Sequence, residues 1–412
     1  MSRFRLRELR ARNYRCFDQL TLPVEEDTTV FFAENGGGKT ALLSALAIGL
    51  GVFQRGAPKI ARFSPARDMR MRTLDEKGRR EPIGGCELAW TADLEERGAV
   101  TWATAVGSGS GRITKRHRPI LEAMERVRAP GERWPLFAWY GVDRLGRRVG
   151  RGRKVERMGD RWEAYDSSLD PDLDETPLLQ WLQDEMLGDV SRRDRAEPER
   201  FFHKAVLETA VRASPGVVDA WYDATARSPV VRFEDGHAAR WSELSDGYHV
   251  FIALVADIAR RAVMLNEFDG AEAPARVEGA VLIDELDLHL HPRWQRVALP
   301  RLRDAFPGLQ LIVTTHSPQV LSSAENRQVR RLVDGRIQEG NVFVSGRDTN
   351  AILRDLMRTD ARDEEGVVAL RRLHDAIDRG DGEEADRIYR ELLRRWGDTD
   401  PELIRAGGLM EE

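Results

Sequence analysis

Residues 33–40 read AENGGGKT, a run of residue types suited to binding phosphate. The apolar run 29–32 predicts a strand before it, and the proline-free apolar run 41–50 predicts a helix after it. Glycines let successive backbone N–H groups point at one anion without obstruction from Cβ atoms, and the helix N-terminus attracts negative charge. Lys39 would add a point charge on the β- and γ-phosphates, and the hydroxyl of Thr40 would ligate Mg²⁺. The pattern therefore predicts a loop that holds a nucleoside triphosphate with its Mg²⁺.

One residue of this loop departs from the usual pattern, because Ala33 stands where such loops usually begin with glycine. Alanine fits that position when its φ angle is negative. We therefore expect the loop to bind phosphate still, with slight strain at Ala33.

Two carboxylates follow a second apolar run, since residues 280–283 read AVLI and lead into Asp284 and Glu285. A continuous aliphatic run is typical of a strand buried on both faces of a parallel sheet, and such sheets bind ligands at the carboxyl ends of their strands. Asp284 can hold Mg²⁺, and Glu285 can deprotonate the water that attacks the γ-phosphate. The pair predicts the hydrolytic half of the site.

A third apolar run, residues 309–314, leads into His316. A histidine at such a strand end can hydrogen-bond the γ-phosphate or the attacking water. Farther upstream, Ser245 is a good N-cap for the apolar helix predicted over 248–265, and Gly247 would allow a phosphate to approach backbone N–H groups. His289 and His291 lack a third ligand nearby in the sequence, so a metal site is not the favoured interpretation there.

These motifs stand in a fixed order along the chain. The phosphate loop is followed by LSDGY (244–248), LIDE (282–285), LHLHP (288–292) and TTHSP (314–318). This order resembles that of the ABC-type ATPases of the SMC, RecF and OLD kind. More narrowly, it resembles bacterial AAA-type ATP-binding proteins, to which the ATPase subunits of Septu and some retron anti-phage systems have related cores.

The resemblance implies an α/β fold, a P-loop NTPase of the ABC-ATPase type, with a two-lobed head, a basic and helical middle insertion and a helical C-terminal tail. The implied division is an N-terminal lobe over 1–110, an insertion over 111–235, a C-terminal lobe over 236–345 and a tail over 346–412. No glutamine of the family's Q-loop is identifiable, and the region of Tyr140 is the candidate replacement.

The resemblance also assigns roles to individual residues. It implies that Glu285 is the catalytic base, that His316 is a switch histidine, and that the loop 288–292 is the family's D-loop. Thr40 and Asp284 would hold Mg²⁺. The implied nucleotide-binding residues are Asn35, Gly36, Gly37, Gly38, Lys39 and Thr40 of one protomer with Ser245 and Gly247 of another.

Ser245 lies 206 residues beyond Lys39, and in the family resembled here the signature of one protomer completes the site of its partner. We therefore expect a homodimer that closes on two Mg-ATP molecules and opens after hydrolysis. The expected setting is DNA repair or anti-phage defence. An alternative is an ATP-gated scaffold that regulates a separate HNH-type nuclease. A transporter ATPase is disfavoured, because the signature reads LSDGY and not LSGGQ.

The composition limits the other possible classes. A net charge of −5 excludes a globally basic surface, but the arginine-rich stretch between Arg144 and Arg157 is a candidate contact for DNA or RNA backbone. No apolar run reaches the ~18 residues of a membrane span. The start of the chain has no apolar signal segment, which favours the cytoplasm. Two cysteines give no disulfide framework.

Overall fold

The computed structural model describes residues 4–34, 36–54, 61–74, 80–95, 97–107, 112–127, 129, 131–143, 161–172, 174–194, 200–338, 340, 342–357 and 362–411. Asn35 and the basic stretch 144–157 lie outside these ranges. The strands are β1 (Phe4–Tyr14), β2 (Phe17–Pro23), β3 (Thr28–Phe32), β4 (Met71–Thr73), β5 (Arg80–Pro82), β6 (Cys86–Leu94), β7 (Gly98–Val106), β8 (Ile113–Arg116), β9 (Leu136–Tyr140), β10 (Val217–Asp223), β11 (Ser228–Phe233), β12 (Ala238–Arg240), β13 (Gly279–Ile283), β14 (Leu309–Thr314), β15 (Val329–Val333) and β16 (Arg336–Ile337).

The helices alternate with these strands and fill the C-terminal part of the chain. They are α1 (Lys39–Leu50), α2 (Pro65–Asp68), α3 (Arg118–Val127), α4 (Thr176–Asp194), α5 (Phe202–Ala213), α6 (Asp246–Leu265), α7 (Ala273–Arg276), α8 (Pro292–Ala305), α9 (Pro318–Ser322), α10 (Thr349–Asp355), α11 (Glu364–Asp378), α12 (Gly382–Trp396) and α13 (Pro401–Glu411). Among the helices that the structure describes, none has both the length and the apolar character needed to cross a bilayer.

A six-stranded sheet in the order β16-β15-β3-β14-β13-β9 is formed within residues 1–347. Its strands are parallel except β16, which runs antiparallel to β15. Every residue of β3, β9, β13 and β14 is buried, as the continuous apolar runs of β3, β13 and β14 predicted. Parallel strands end at the same edge, so the residues that follow β3, β13 and β14 come together there. We call this the catalytic edge.

Strand β9 lies inside the stretch 111–235, which the sequence resemblance assigned to an insertion. It pairs in parallel with β13, with Tyr140 opposite Ile283. This part of the stretch therefore belongs to the central sheet. β9 is the last strand in the sheet order, and its apolar run LFAWY fits a parallel sheet that is covered on both faces, since all five residues are buried.

A second, antiparallel sheet has the order β2-β1-β6-β7-β8 and contains a hairpin of β6 and β7. Helix α1 packs against it. The indole N–H of Trp90 donates to the carbonyl of Ala45 at 3.0 Å, and that of Trp102 to the carbonyl of Gly49 at 3.2 Å. A Cβ at Gly49 would lie 2.4 Å from the Trp90 ring, so glycine allows the helix and the sheet to approach closely. These contacts hold the helix that follows the phosphate loop.

Helix α6 follows a three-stranded sheet, β10-β11-β12, and is almost wholly buried along its 20 residues. Its apolar run agrees with the helix predicted over 248–265. The helix also carries three buried charged residues, in which Arg260 and Arg261 both pair with Asp257. Buried charges are stable only when paired in this way.

The chain divides into two compact units, Met1–Arg347 and Asp348–Glu412. In the second unit, the apolar faces of α11, α12 and α13 enclose a small core of their own, formed by Leu373, Ala376, Ala385, Ile388, Leu392, Leu403 and Ala406. The helical character predicted for the tail agrees with these elements, while the boundaries predicted for the lobes and the insertion stay predictions.

Candidate active site

The phosphate loop connects β3 to α1 with two glycines in the left-handed region. Gly36 has φ = 78° and Gly38 has φ = 95°, angles that favour glycine, while Ala33 is not among the described residues with positive φ. Gly38 caps α1, and a Cβ on it would lie 2.6 Å from the Cys16 sulfur. A Cβ on Gly37 would lie 2.8 Å from the Cβ of Ala33. Glycine at positions 37 and 38 thus leaves space that a Cβ would fill, glycine at 36 and 38 permits the positive φ, and Ala33 is accommodated without the strain of a positive φ.

Lys39 lies at the centre of the catalytic edge, and its side chain is largely buried. Its ammonium group donates to the carbonyl of Ala33 at 3.2 Å and lies 2.6 Å from Nε2 of His316. Burial lowers the pKa of Lys39 below its ordinary value of 10.5, and the negative charges of Glu285 and Asp284 oppose this effect. The structure therefore places two of the predicted residues, Lys39 and His316, in direct contact.

Asp284 follows β13 and receives two hydroxyl groups. Thr40 donates to its Oδ2 at 2.7 Å, and Thr314 donates to its Oδ1 at 2.5 Å. The side chain of Asp284 is buried at 1% exposure, so these bonds fix the direction of its carboxylate. Hydroxyl and carboxylate oxygens are the hard ligands that Mg²⁺ prefers, and here they converge beside the phosphate loop. Thr40 and Asp284 therefore fit the metal that the fold implies.

Glu285 is the next residue, and it adopts φ = 48°. Such a conformation costs a non-glycine residue about 1–3 kcal/mol and persists only where the surroundings hold it. The backbone N–H of Glu285 donates to the Thr314 hydroxyl at 2.8 Å, and that of Leu286 to the Thr314 carbonyl at 3.0 Å. Thr314 thus holds the turn of the chain at Glu285 through these two hydrogen bonds. The side chain of Glu285 is partly exposed, whereas Asp284 next to it is buried.

Asp287 was not among the residues singled out in the sequence. It accepts a hydrogen bond from the Thr315 hydroxyl at 2.5 Å and one from the backbone N–H of His316 at 3.3 Å. It therefore ties the turn after β13 to the turn after β14 and holds the backbone of His316. The only signal in the sequence was a third acid in the run IDELD, a pattern common at strand ends.

The signature loop, residues 244–248, leads into α6. Ser245 is the N-cap residue of that helix and is exposed, as is Asp246. Gly247 lies against the D-loop of its own chain, because a Cβ there would be 2.7 Å from the carbonyl oxygen of His289. The glycine therefore has a packing role within one protomer in addition to the phosphate contact predicted for it.

Glu175 anchors the segment around this loop. Its Oε2 accepts from the Trp241 indole at 2.9 Å and lies 2.8 Å from Nε2 of His249. Trp241 precedes the signature loop and His249 lies in the first turn of α6. The Glu175 carboxylate therefore binds residues on both sides of the signature loop. Sequence reasoning missed Glu175, since nothing in the chain order places residue 175 beside residue 245.

Comparison with known proteins identifies the class. Residues 106–322, more than half of the chain, match the family described as AAA domain, putative AbiEii toxin, Type IV TA system. A solved SMC head bound to the C-winged helix domain of ScpA has the same fold, with a TM-score of 0.50 at 16% identity over 82% of this chain and 97% of that one. The chain belongs to this AAA family and is an ATPase with the fold of an SMC head. The predicted class, an ABC-type P-loop NTPase, is confirmed.

Two named relatives indicate which ATPases the chain is similar to in sequence. The Retron Ec83 probable ATPase of Escherichia coli is 24% identical over 87% of this chain and 77% of its own length. The Septu protein PtuA of Bacillus mycoides is 41% identical over 25% of this chain but only 14% of its own length. The resemblance to retron and Septu ATPases predicted from the motifs is confirmed.

Proposed function

We propose that the chain hydrolyses ATP at the catalytic edge and that two copies close on two ATP molecules. The observation that supports the site is the convergence of Lys39, Thr40, Asp284, Glu285 and His316, which come from three separate strand ends. Its contacts, such as Thr40 to Asp284 at 2.7 Å, are those of a preorganised site.

Each residue has a role in this proposal. The N–H groups of the glycine-rich loop and the charge of Lys39 hold the β- and γ-phosphates. Glu285 accepts a proton from water as the water oxygen bonds to the γ-phosphorus, and the bond from that phosphorus to the β–γ bridging oxygen breaks to release ADP and phosphate. His316 orients the γ-phosphate through Nε2. Thr40 and Asp284 would hold Mg²⁺, which would supply positive charge to neutralise the negative charge on the phosphate oxygens.

The proposal of a dimer rests on the signature loop. Ser245 and Asp246 are exposed at the start of a long, buried helix. The packed helix holds the loop in place, and the exposed residues are accessible to a partner. A symmetric dimer in which each signature loop faces the partner's phosphate loop would complete both sites.

The proposed setting is anti-phage defence, because the named relatives belong to retron and Septu systems. We infer that ATP-driven closing and opening controls a separate effector, with a nuclease as the first candidate. Direct action on nucleic acid, including DNA repair, is the second candidate, which the arginine-rich stretch 144–157 favours. Stimulation of the ATPase by duplex DNA, lost when 144–157 is deleted, would support the second candidate.

Glu285→Gln tests the hydrolytic role. We expect wild-type protein to release phosphate from Mg-ATP and the variant to lose at least about a hundredfold in rate while still binding ATP. With Mg-ATP the variant should have the mass of a dimer by light scattering. Asp304→Asn, which alters an exposed acid on α8, is the matched control and should behave as wild type. An inactive wild-type protein, or a variant as fast as wild type, would contradict the site.

A complementation experiment tests the dimer. Lys39→Ala and Ser245→Arg should each abolish hydrolysis, but a mixture contains heterodimers in which one composite site is intact. Random assortment predicts about a quarter of the wild-type rate, since half of the dimers are mixed and one of their two sites is whole. No recovery, together with a monomeric mass in ATP, would exclude composite sites.

A further inference from the structure

Tyr140 contacts both the catalytic edge and helix α6, two parts of the proposed ATPase that carry separate sequence motifs. It is the last residue of β9, and it is buried at 2% exposure. Its carbonyl oxygen accepts the backbone N–H of Asp284 at 2.8 Å, directly at the catalytic edge. The next residue is also fixed, since the N–H of Gly141 donates to Pro171 at 2.7 Å and a Cβ on Gly141 would lie 2.6 Å from the Pro171 ring. The backbone at Tyr140 is thus hydrogen-bonded to the strand end that carries Asp284.

The side chain of Tyr140 reaches α6 on the other side. Its hydroxyl donates to Oδ2 of Asp257 at 2.9 Å. Asp257 lies 12 residues beyond Ser245 on the same helix, which corresponds to about 18 Å along its axis. Tyr140 therefore contacts Asp284 through its carbonyl oxygen and helix α6 through its hydroxyl.

Two arginines fix the acceptor. Arg260 donates to Oδ1 of Asp257 at 2.6 Å, and Arg261 donates to Oδ2 at 2.7 Å. Arg261 also donates to the carbonyl of Ala164 at 2.6 Å. Burial opposes the ionisation of Asp257, but the charges of Arg261 and Arg260 outweigh it and hold its pKa below the ordinary value of 3.8. Burial raises the pKa of Tyr140 well above 10.0, so its hydroxyl keeps its proton and stays a donor.

We propose that Tyr140 is a positioning residue that couples the catalytic edge to helix α6 and so sets the placement of Ser245. The inference rests on the proposed function and adds to it a link inside one protomer. A buried hydrogen bond to a charged acceptor is directional and costly to break, so a shift of the Asp284 strand end carries α6 with it. Because α6 is one uninterrupted helix, displacement at Asp257 reaches the signature loop at its N-terminus.

Tyr165 supplies a matched control. It is buried at 1% exposure, and its hydroxyl donates to the carbonyl of Pro135, outside both α6 and the catalytic edge. Tyr140→Phe and Tyr165→Phe each remove one buried phenol oxygen and its hydrogen bond. Both variants should lose some stability, Tyr140→Phe more than Tyr165→Phe because its acceptor is a charged carboxylate, so both are assayed well below their unfolding midpoints. A difference in function between them therefore reports the coupling and not the general loss of stability.

The experiment compares the two variants in the full chain. For Tyr140→Phe we expect kcat to fall about tenfold or more with KM for ATP changed by less than about threefold. In the Glu285→Gln background, hydrogen exchange of residues 241–250 should slow when Mg-ATP is added, and Tyr140→Phe should abolish that slowing. Tyr165→Phe should retain both properties. If Tyr140→Phe does not fold, Asp257→Glu keeps the negative charge but displaces the acceptor, and the same losses are expected.

The outcomes separate this inference from the proposed function. A wild-type protein that neither hydrolyses ATP nor changes its exchange with Mg-ATP would overturn the proposed function. A wild-type protein that does both, with Tyr140→Phe indistinguishable from Tyr165→Phe, would overturn only the role of Tyr140.

Discussion

The ammonium group of Lys39 and Nε2 of His316 lie 2.6 Å apart, although 277 residues separate them in the chain. Lys39 begins the helix after β3 and His316 follows β14, the adjacent strand. The pair therefore exists because β3 and β14 are neighbours in the sheet.

His316→Ala should lower kcat about ten- to a hundredfold, because a group that orients the γ-phosphate contributes mainly in the transition state. KM for ATP should change little, since Lys39 keeps its bond to Ala33. Steady-state phosphate release measures both values. His374→Ala, on α11 of the other compact unit, is the control. A rise in KM without loss of kcat would contradict the role given to His316.

Thr40→Ala should raise the Mg²⁺ concentration needed for half-maximal ATP binding. The substitution removes one of the two side-chain oxygens proposed to bind Mg²⁺, the other being that of Asp284. The Mg²⁺ concentration required should therefore rise by more than the roughly tenfold typical of losing an outer-sphere partner. Thr40→Ser keeps the hydroxyl and should stay near wild type. Calorimetric titration of ATP at several Mg²⁺ concentrations measures the effect. Equal Mg²⁺ dependence in the two variants would rule out Thr40 as a ligand.

Gly37→Ala should impair ATP binding, because the new Cβ would lie 2.8 Å from that of Ala33 and 3.0 Å from the Glu34 carbonyl oxygen. Ala33→Gly removes the first of these clashes. We expect the double variant Ala33→Gly with Gly37→Ala to recover part of the affinity, and Ala33→Gly alone to bind ATP as well as wild type. A double variant as weak as Gly37→Ala would show that Ala33 does not shape the loop.

Gly247→Ala should slow hydrolysis by pushing the D-loop, since the added Cβ would meet the His289 carbonyl oxygen at 2.7 Å. We expect a loss of about tenfold or more in kcat and a weaker ATP-dependent dimer. Gly408→Ala, where a Cβ meets nothing within 4 Å, is the control and should leave both unchanged. Normal activity in Gly247→Ala would mean that the loop adapts without cost.

The buried charges of α6 predict a loss of stability in acid. The pKa of Asp257 is lower in the folded protein than its ordinary value of 3.8, so its stabilisation is complete well above pH 3.8 and is lost as pH falls toward the folded pKa. Between pH 6 and pH 3, wild type should lose on the order of 1 kcal/mol more free energy of unfolding than Asp257→Asn. Urea titrations measure the difference.

The Asp257→Asn variant should be less stable at every pH, because Arg260 and Arg261 lose their buried partner, a change that costs about 3–5 kcal/mol. Asp304→Asn, an exposed change on α8, should follow the wild-type curve. Parallel pH profiles for wild type and Asp257→Asn would contradict this assignment.

Much of the site could be predicted because its residues stand next to strand ends that are evident in the sequence. The runs before Gly36, Asp284 and His316 are continuous and apolar, and the burial of β3, β13 and β14 agrees with this interpretation. Parallel pairing then brings the three ends together. Local composition was sufficient here because the chemistry lies at fixed offsets from regular elements.

The residues that the sequence did not reveal act across long separations. Asp287 binds the turn of His316, and Glu175 binds residues on both sides of the signature loop. For Tyr140, whose region was the candidate replacement for the Q-loop, the sequence did not reveal the bond that joins β9 to α6. Each contact depends on which elements are neighbours in space, which no single stretch of sequence encodes. The strand β9 illustrates this, since it pairs with β13 although it lies within a stretch taken for an insertion.

By itself, the amino-acid sequence determined the phosphate loop, the acidic pair, the histidine and their order, because these depend on residue type and on local strand and helix formation. Only the tertiary structure decided that Gly247 packs on His289 and that Tyr140 bonds Asp257, because such pairings arise from the packing of distant elements into one core. The physical reason is that the reactive side chains stand at strand ends, which local sequence defines. The position of those strand ends relative to α6 depends on how all the elements pack together.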